Sequence, residues 1–201
     1  MSYKMVVDFI AGKIILSEYL YNVICNNSFD DSALSYGDVM IVETDFAESR
    51  LIRPLCPKIS GIRYTHFVFK TEKNYAEGLD LDGRIKYNLR NIPYEWKSFL
   101  AFRHNEINDE KRKEFKRINE ELSDVYDLGA AWKMLAKRIM GKKPNLEDLS
   151  LPNKFMCPSR FTYIYDLLEL PISEEVHWSQ TEMIHVANSR HFKKVGSWKR
   201  K

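Results

Sequence analysis

Between residues 39 and 103 the chain carries a series of short apolar runs separated by turn residues, with no helical repeat between them. Val39-Met40-Ile41-Val42 follows the turn signal Tyr36-Gly37-Asp38 and reads as a buried β-branched strand. Tyr64-Thr65-His66-Phe67-Val68-Phe69 reads as the next, with Tyr64, His66 and Val68 on one face and Thr65, Phe67 and Phe69 on the other. Lys73-Asn74 turns the chain into Tyr75-Ala76-Glu77, and Leu81-Asp82-Gly83-Arg84 turns it again before Ile85–Leu89. Phe99-Leu100-Ala101-Phe102-Arg103 reads as a further strand at the sheet's edge. Parallel neighbours need crossovers of a dozen or more residues, so strands joined by turns this short pair antiparallel. The pattern predicts an antiparallel sheet or small barrel packed against helices, an α+β fold.

The helices come later. Asn108 or Asp109 is placed to cap a helix from Lys111 to Leu122, with Phe115, Ile118 and Leu122 as its apolar stripe and a solvated charged face. Asp127 is placed to cap another, Leu128 to Met140, ended by Gly141 and Pro144. After a loop over 144–156, Phe161, Ile164, Tyr165 and Leu168 recur at helical spacing, and Pro158 suits the first turn. Ser179 is placed to cap a short helix through Ile184, and Lys193-Lys194 and Lys199-Arg200-Lys201 read as a solvated terminus. The stretch from Glu43 to Ile62, with Pro54, Pro57 and Gly61, reads as a long polar loop that shapes a binding surface. Arg50, Arg53 and Arg63 in and beside it are read as solvated rather than as ligands for an acidic group. Residues 1–30 form an N-terminal segment with a helix over about Lys13 to Ile24, suited to packing on the main domain or meeting a protein partner; 31–201 form that domain.

At 201 residues, 44% hydrophobic and 29% charged, the chain has material for one real core. A formal charge of +3, concentrated at the terminus, argues against nucleic acid as a partner. Cys25, Cys56 and Cys157 are odd in number, far apart and without zinc spacing, as expected of thiols in a reducing compartment. Asp8 breaks the early apolar run, and Ser17, Glu18 and Asn22 break the next, so neither a signal peptide nor a transmembrane segment is expected, and a cytoplasmic setting is.

Cys157 falls at the mouth of its helix, where backbone N–H groups and the positive end of the dipole favour a thiolate. The plain alternative is a small buried hydrophobe that caps a core helix. Catalysis needs a base, and His66 differs from the other histidines in sitting within an apolar strand, rigid enough to hold an imidazole at a fixed distance. His104, His177, His185 and His191 lie near element ends or in polar surroundings and read as surface. Glu77 on the following strand is the first candidate to accept the second ring N–H, with Asp80 and Asp82 as competitors.

Taken in order, Gly37-Asp38 before a strand, Thr65-His66-Phe67-Val68-Phe69, Glu77 in Tyr75-Ala76-Glu77-Gly78, a strand ending at Arg103, Tyr126-Asp127 in a helical region, and Cys157 opening a helix resemble the circularly permuted branch of the NlpC/P60 superfamily of papain-like cysteine hydrolases. The likeness runs from about residue 34 to 190. It implies a papain-like NlpC/P60-type fold and a Cys157-His66-Glu77 site that cleaves an amide bond through a thioester intermediate, without metal or organic cofactor. It also implies a peptide-like or acylated substrate, peptidoglycan peptides among them. A wall-directed enzyme without an export signal would be virion-associated or released by lysis. Pro158 cannot donate to an oxyanion, so the backbone N–H of Cys157 needs a second donor, for which Tyr64 is a candidate. The alternative is a catalytically inactive papain-like scaffold that serves as a structural or protein-interaction module.

Overall fold

A computed structural model describes residues 28–80, 83–122, 157–173 and 181–200, together with Val125, Asp127, Gly129, Trp132, Lys133, Ala136, Ile139 and Met140. The helices expected over 13–24 and 128–140, the 144–156 loop, Ser179, Tyr126 and His177 lie wholly or largely outside these residues.

The expected strands are all present and pair antiparallel. They are β1 (Val39–Thr44), a small hairpin β2 (Lys58–Ile59) and β3 (Ile62–Arg63), then β4 (His66–Lys70), β5 (Tyr75–Asp80), β6 (Gly83–Asn88) and β7 (Trp96–His104). With a further strand, β8 (Phe192–Lys199), six of them form one sheet in the order β6-β5-β4-β1-β7-β8. The sheet contradicts one expectation and adds a strand where another placed only a solvated terminus. The run at Phe99–Arg103 is interior, because β7 pairs with β1 on one side and β8 on the other. The basic tail supplies β8: Trp198, opposite Phe99, stacks on it with ring centroids 5.8 Å apart, while Lys193, Lys194 and Lys199 stay exposed to solvent. The stretch over 43–62 is also structured, as α1 (Ala47–Ile52), a 3-10 turn at Arg53–Leu55 and the β2-β3 hairpin. Its arginines serve that structure: Arg53 donates to the Thr44 carbonyl, and Arg63 to the carbonyls of Pro54 and Cys56.

Side-chain alternation divides the core into two. Val39, Ile41, Phe67, Phe69 and Phe102 point to one face, which is covered by α2 (Asp109–Glu121), α3 (Cys157–Leu167) and α4 (Met183–Asn188). Asn108 caps α2 by accepting from the Lys111 N–H at 2.9 Å, and Phe115, Ile118 and Asn119 are its buried residues. In α3, Phe161 sits 5.0 Å from Phe67, 6.0 Å from Phe115 and 4.3 Å from Tyr165, measured between ring centroids. Each such ring removed from water contributes about 2–3 kcal/mol. Helix α4 begins not at Ser179 but after Glu182, where Glu182 and His185 form a reciprocal capping box.

Met40, Val42, Val68, Ala76 and Ala101 point to the other face. There the sheet curls on itself: Tyr87 of the first strand in the order lies 5.0 Å from Trp96 of the fifth. This accumulated twist lets side chains of the sheet fill their own concave face.

Candidate active site

Chain order puts Cys157 and His66 far apart, and the fold brings them together. His66 is the first residue of β4 and Cys157 the first of α3, and the helix packs on the sheet through Phe161 against Phe67. At that end of the sheet the Cys157 Sγ lies 3.9 Å from His66 Nδ1, across 91 positions of sequence. The imidazole is only 7% exposed, and Cys157 is half-buried. A thiol and an imidazole at this separation are one small side-chain adjustment from a hydrogen bond, a looseness common in sites without substrate.

The other ring nitrogen faces the concave side of the sheet. His66 Nε2 lies 3.1 Å from the Tyr87 hydroxyl, with the two rings edge-on at 80°. Phe46 approaches the imidazole edge-on from 6.5 Å. Gly78 makes room for this arrangement: a Cβ there would stand 2.9 Å from His66 Nε2 and 2.9 Å from Val68 Cγ1.

Glu77 is placed elsewhere. In the register of β4 and β5 it opposes Phe69, while Gly78 opposes Val68, so period-two alternation sends its carboxylate to the helix-covered face. There its Oε2 accepts from the Asn119 amide at 3.1 Å, with Lys86 Nζ 3.6 Å from Oε1. Asn119 Oδ1 in turn accepts from Arg160 Nε and Nη2, at 3.2 and 3.1 Å, and its carbonyl oxygen from Nη2 at 2.8 Å. Arg160, one turn beyond Cys157 on α3, is 2% exposed. The carboxylate expected to orient the histidine therefore holds α3 instead, through Asn119 and Arg160. The side chains of Asp80 and Asp82 lie outside the described residues.

Tyr64 precedes β4 instead of lying in it. Burial pushes its phenol above the usual range, while a hydrogen bond to Ser98 works the other way. Ser98 donates onward to Glu43 Oε2 at 2.8 Å, so the Tyr64 hydroxyl belongs to a chain that runs through β7 to β1.

Two further motif residues meet. Asp38, fully buried, accepts from Arg103 Nε at 2.9 and 3.1 Å and from Nη2 at 2.6 Å, and the Ser35 N–H adds a bond of 2.8 Å. Gly37 beside it has φ +83°, and its carbonyl accepts from the Tyr165 hydroxyl of α3 at 3.1 Å. This clamp fixes α3 against the start of β1. Asp127 is buried as well.

His104 is not at the surface. It is 1% exposed; its Nδ1 accepts from the Glu106 N–H at 3.1 Å, and its Nε2 lies 3.0 Å from the Pro171 carbonyl. Burial pushes its imidazole below the usual range. His191 stacks on it, ring centroids 5.8 Å apart. Sequence reasoning also missed Tyr87, Gly78, Asn119 and Arg160. The strand over Ile85–Leu89 was legible, but nothing in sequence told which neighbour Tyr87 would meet.

No family model matches this chain, and comparison with curated proteins and with solved structures likewise gives no match. Among the described residues no helix is long and apolar enough to cross a membrane, and no group of three or more His, Cys, Asp or Glu side chains is disposed to hold a metal ion.

Proposed function

We propose that the protein is a cysteine hydrolase that works by acyl transfer, with Cys157 as nucleophile and His66 as acid and base. The observation that carries this reading is the 3.9 Å approach of Cys157 Sγ to His66 Nδ1. His66 Nδ1 takes the thiol proton, and the thiolate is further favoured at the opening of α3. The sulfur attacks a substrate carbonyl carbon, and the C=O π pair moves onto oxygen. As the tetrahedral intermediate collapses, the C–N bond breaks and the imidazolium returns its proton to the leaving amine. Neutral His66 then takes a proton from water as it attacks the thioester, and Cys157 leaves as thiolate to be reprotonated.

The backbone N–H of Cys157 would serve as one oxyanion donor, whereas Pro158 has none to give. The Tyr64 hydroxyl would have to leave Ser98 to serve as the second donor. The substrate class rests on the resemblance to the permuted NlpC/P60 branch: amides of peptide-like or acylated molecules, peptidoglycan peptides included. A papain-like, circularly permuted ancestry belongs to the same proposal, and the antiparallel sheet with the nucleophile's helix packed on it is compatible with it.

The test is selective alkylation followed by a substrate panel. Iodoacetamide at pH 6 is expected to label Cys157 faster than Cys25 or Cys56, and His66→Ala is expected to remove that advantage. Hydrolysis of peptidoglycan-derived peptides or of acyl thioesters is expected to vanish in Cys157→Ala. Equal, slow labelling of all three thiols would refute the assignment.

A further inference from the structure

A cysteine–histidine pair works only if the imidazole presents an acceptor nitrogen to the sulfur. With Nδ1 facing Cys157, the neutral ring must carry its proton on Nε2. A third group is needed to hold that tautomer, and Glu77 is committed to Asn119 on the opposite face of the sheet. The side chain that the geometry puts at Nε2 is a phenol from a strand beyond: Tyr87 Oη at 3.1 Å.

We propose that Tyr87 is the positioning residue of this site, accepting a hydrogen bond from His66 Nε2–H and so aiming the Nδ1 lone pair at Cys157. The proposal rests on the Cys157-His66 reading. Three observations support it. The Tyr87 ring cannot drift, because it is 6% exposed and wedged against Trp96, 5.0 Å away. The imidazole is hemmed in at the same time by Phe46 on one edge and Tyr87 on another. The absence of a side chain at Gly78 is what opens the space in which nitrogen and hydroxyl meet, since a Cβ there would stand 2.9 Å from Nε2 and 3.3 Å from Tyr87 Cε2.

A neutral phenol does different work from a carboxylate. It fixes tautomer and orientation while adding no negative charge beside the ring. When His66 becomes imidazolium, Nε2–H continues to donate to the same oxygen, so no rearrangement accompanies proton transfer. The Tyr87 hydroxyl proton takes no part in the chemistry.

The experiment compares wild type, Tyr87→Phe and His66→Ala in the full chain. Cys157 alkylation is followed against pH by mass spectrometry, and the His66 ring nitrogens by 15N NMR. Wild type is expected to show the Nε2–H tautomer once His66 is neutral. Tyr87→Phe is expected to mix the tautomers and to slow Cys157 alkylation near pH 6 roughly tenfold, the weight of one hydrogen bond of about 1.4 kcal/mol. The difference should close at high pH, where the thiolate forms without help; a merely structural defect would change reactivity at every pH. An Nδ1–H tautomer in wild type overturns the proposal even if Tyr87→Phe fails to fold. A folded Tyr87→Phe with unchanged tautomer and pH profile overturns it as well, provided His66→Ala still lowers reactivity. If His66→Ala changes nothing, the hydrolase reading itself falls.

Discussion

Replacing Gly78 by alanine is the most economical way to disturb the proposed Cys157–His66 pair without substituting either residue. Gly78 lies in β5 with ordinary extended backbone, so alanine suits its dihedral angles and relief of glycine's entropy alone would stabilise the fold by about 0.5–1 kcal/mol. Packing reverses that sign. The added Cβ would lie 2.9 Å from both His66 Nε2 and Val68 Cγ1, well inside normal van der Waals separation. Val68 is fully buried and cannot retreat, so the imidazole must move by roughly 0.5–1 Å. A shift of that size carries Nε2 away from the Tyr87 hydroxyl and changes the approach of Nδ1 to the sulfur. Overpacking of this kind costs about 1–3 kcal/mol, and misplacing a reacting group by 1 Å can cost about 100-fold in rate. Gly78→Ala is therefore expected to lose about 1–2 kcal/mol in a urea titration and to slow Cys157 alkylation at pH 6–7 by tenfold or more. Gly196→Ala is the control: its Cβ would meet nothing closer than Phe29 at 3.5 Å, an ordinary contact. That variant should keep full reactivity. Gly78→Ala with stability and thiol reactivity both unchanged would refute the reasoning.

Acid should destabilise the fold through His104. Burial lowers its folded-state pKa below the ordinary 6.5, so the unfolded chain takes up a proton that the folded chain refuses. Stability is then level above about pH 6.5 and falls as pH drops below it, by up to about 1.4 kcal/mol per pH unit until the folded pKa is reached. Urea midpoints measured from pH 8 to 5 should show this slope, and His104→Phe should flatten it while lowering the plateau. Arg103→Leu strips the fully buried Asp38 of its closest cation, leaving Arg112 at 3.6 Å. It is expected to cost about 3 kcal/mol in the same titration, the usual consequence of breaking a buried pair; a loss under about 1 kcal/mol would mean that Arg112 takes over.

The order of strands and helices was legible in the chain because alternation and helical spacing are local properties. Val39–Val42, the Tyr64–Phe69 run and the Phe161, Ile164, Tyr165, Leu168 stripe each mark their element by their own residues. The same local logic marked Cys157 at a helix opening and His66 in an apolar strand. What local pattern cannot hold is where an element lies in the sheet. The run at Phe99–Arg103 lost its edge position because Phe192–Lys199, a stretch whose lysines alone stood out in the sequence, pairs beside it. Glu77 went to the far face because register, set only when β4 and β5 pair, put it opposite Phe69. Tyr87 reached His66 across β5 because the residue of β5 that lies between them in the folded sheet is Gly78, which carries no side chain. Sequence thus marked Cys157 and His66 as candidates and the apolar runs that become strands and helices. Tertiary structure alone decided which partners those residues have, since register, curl and helix docking are set by contacts between segments remote in the chain.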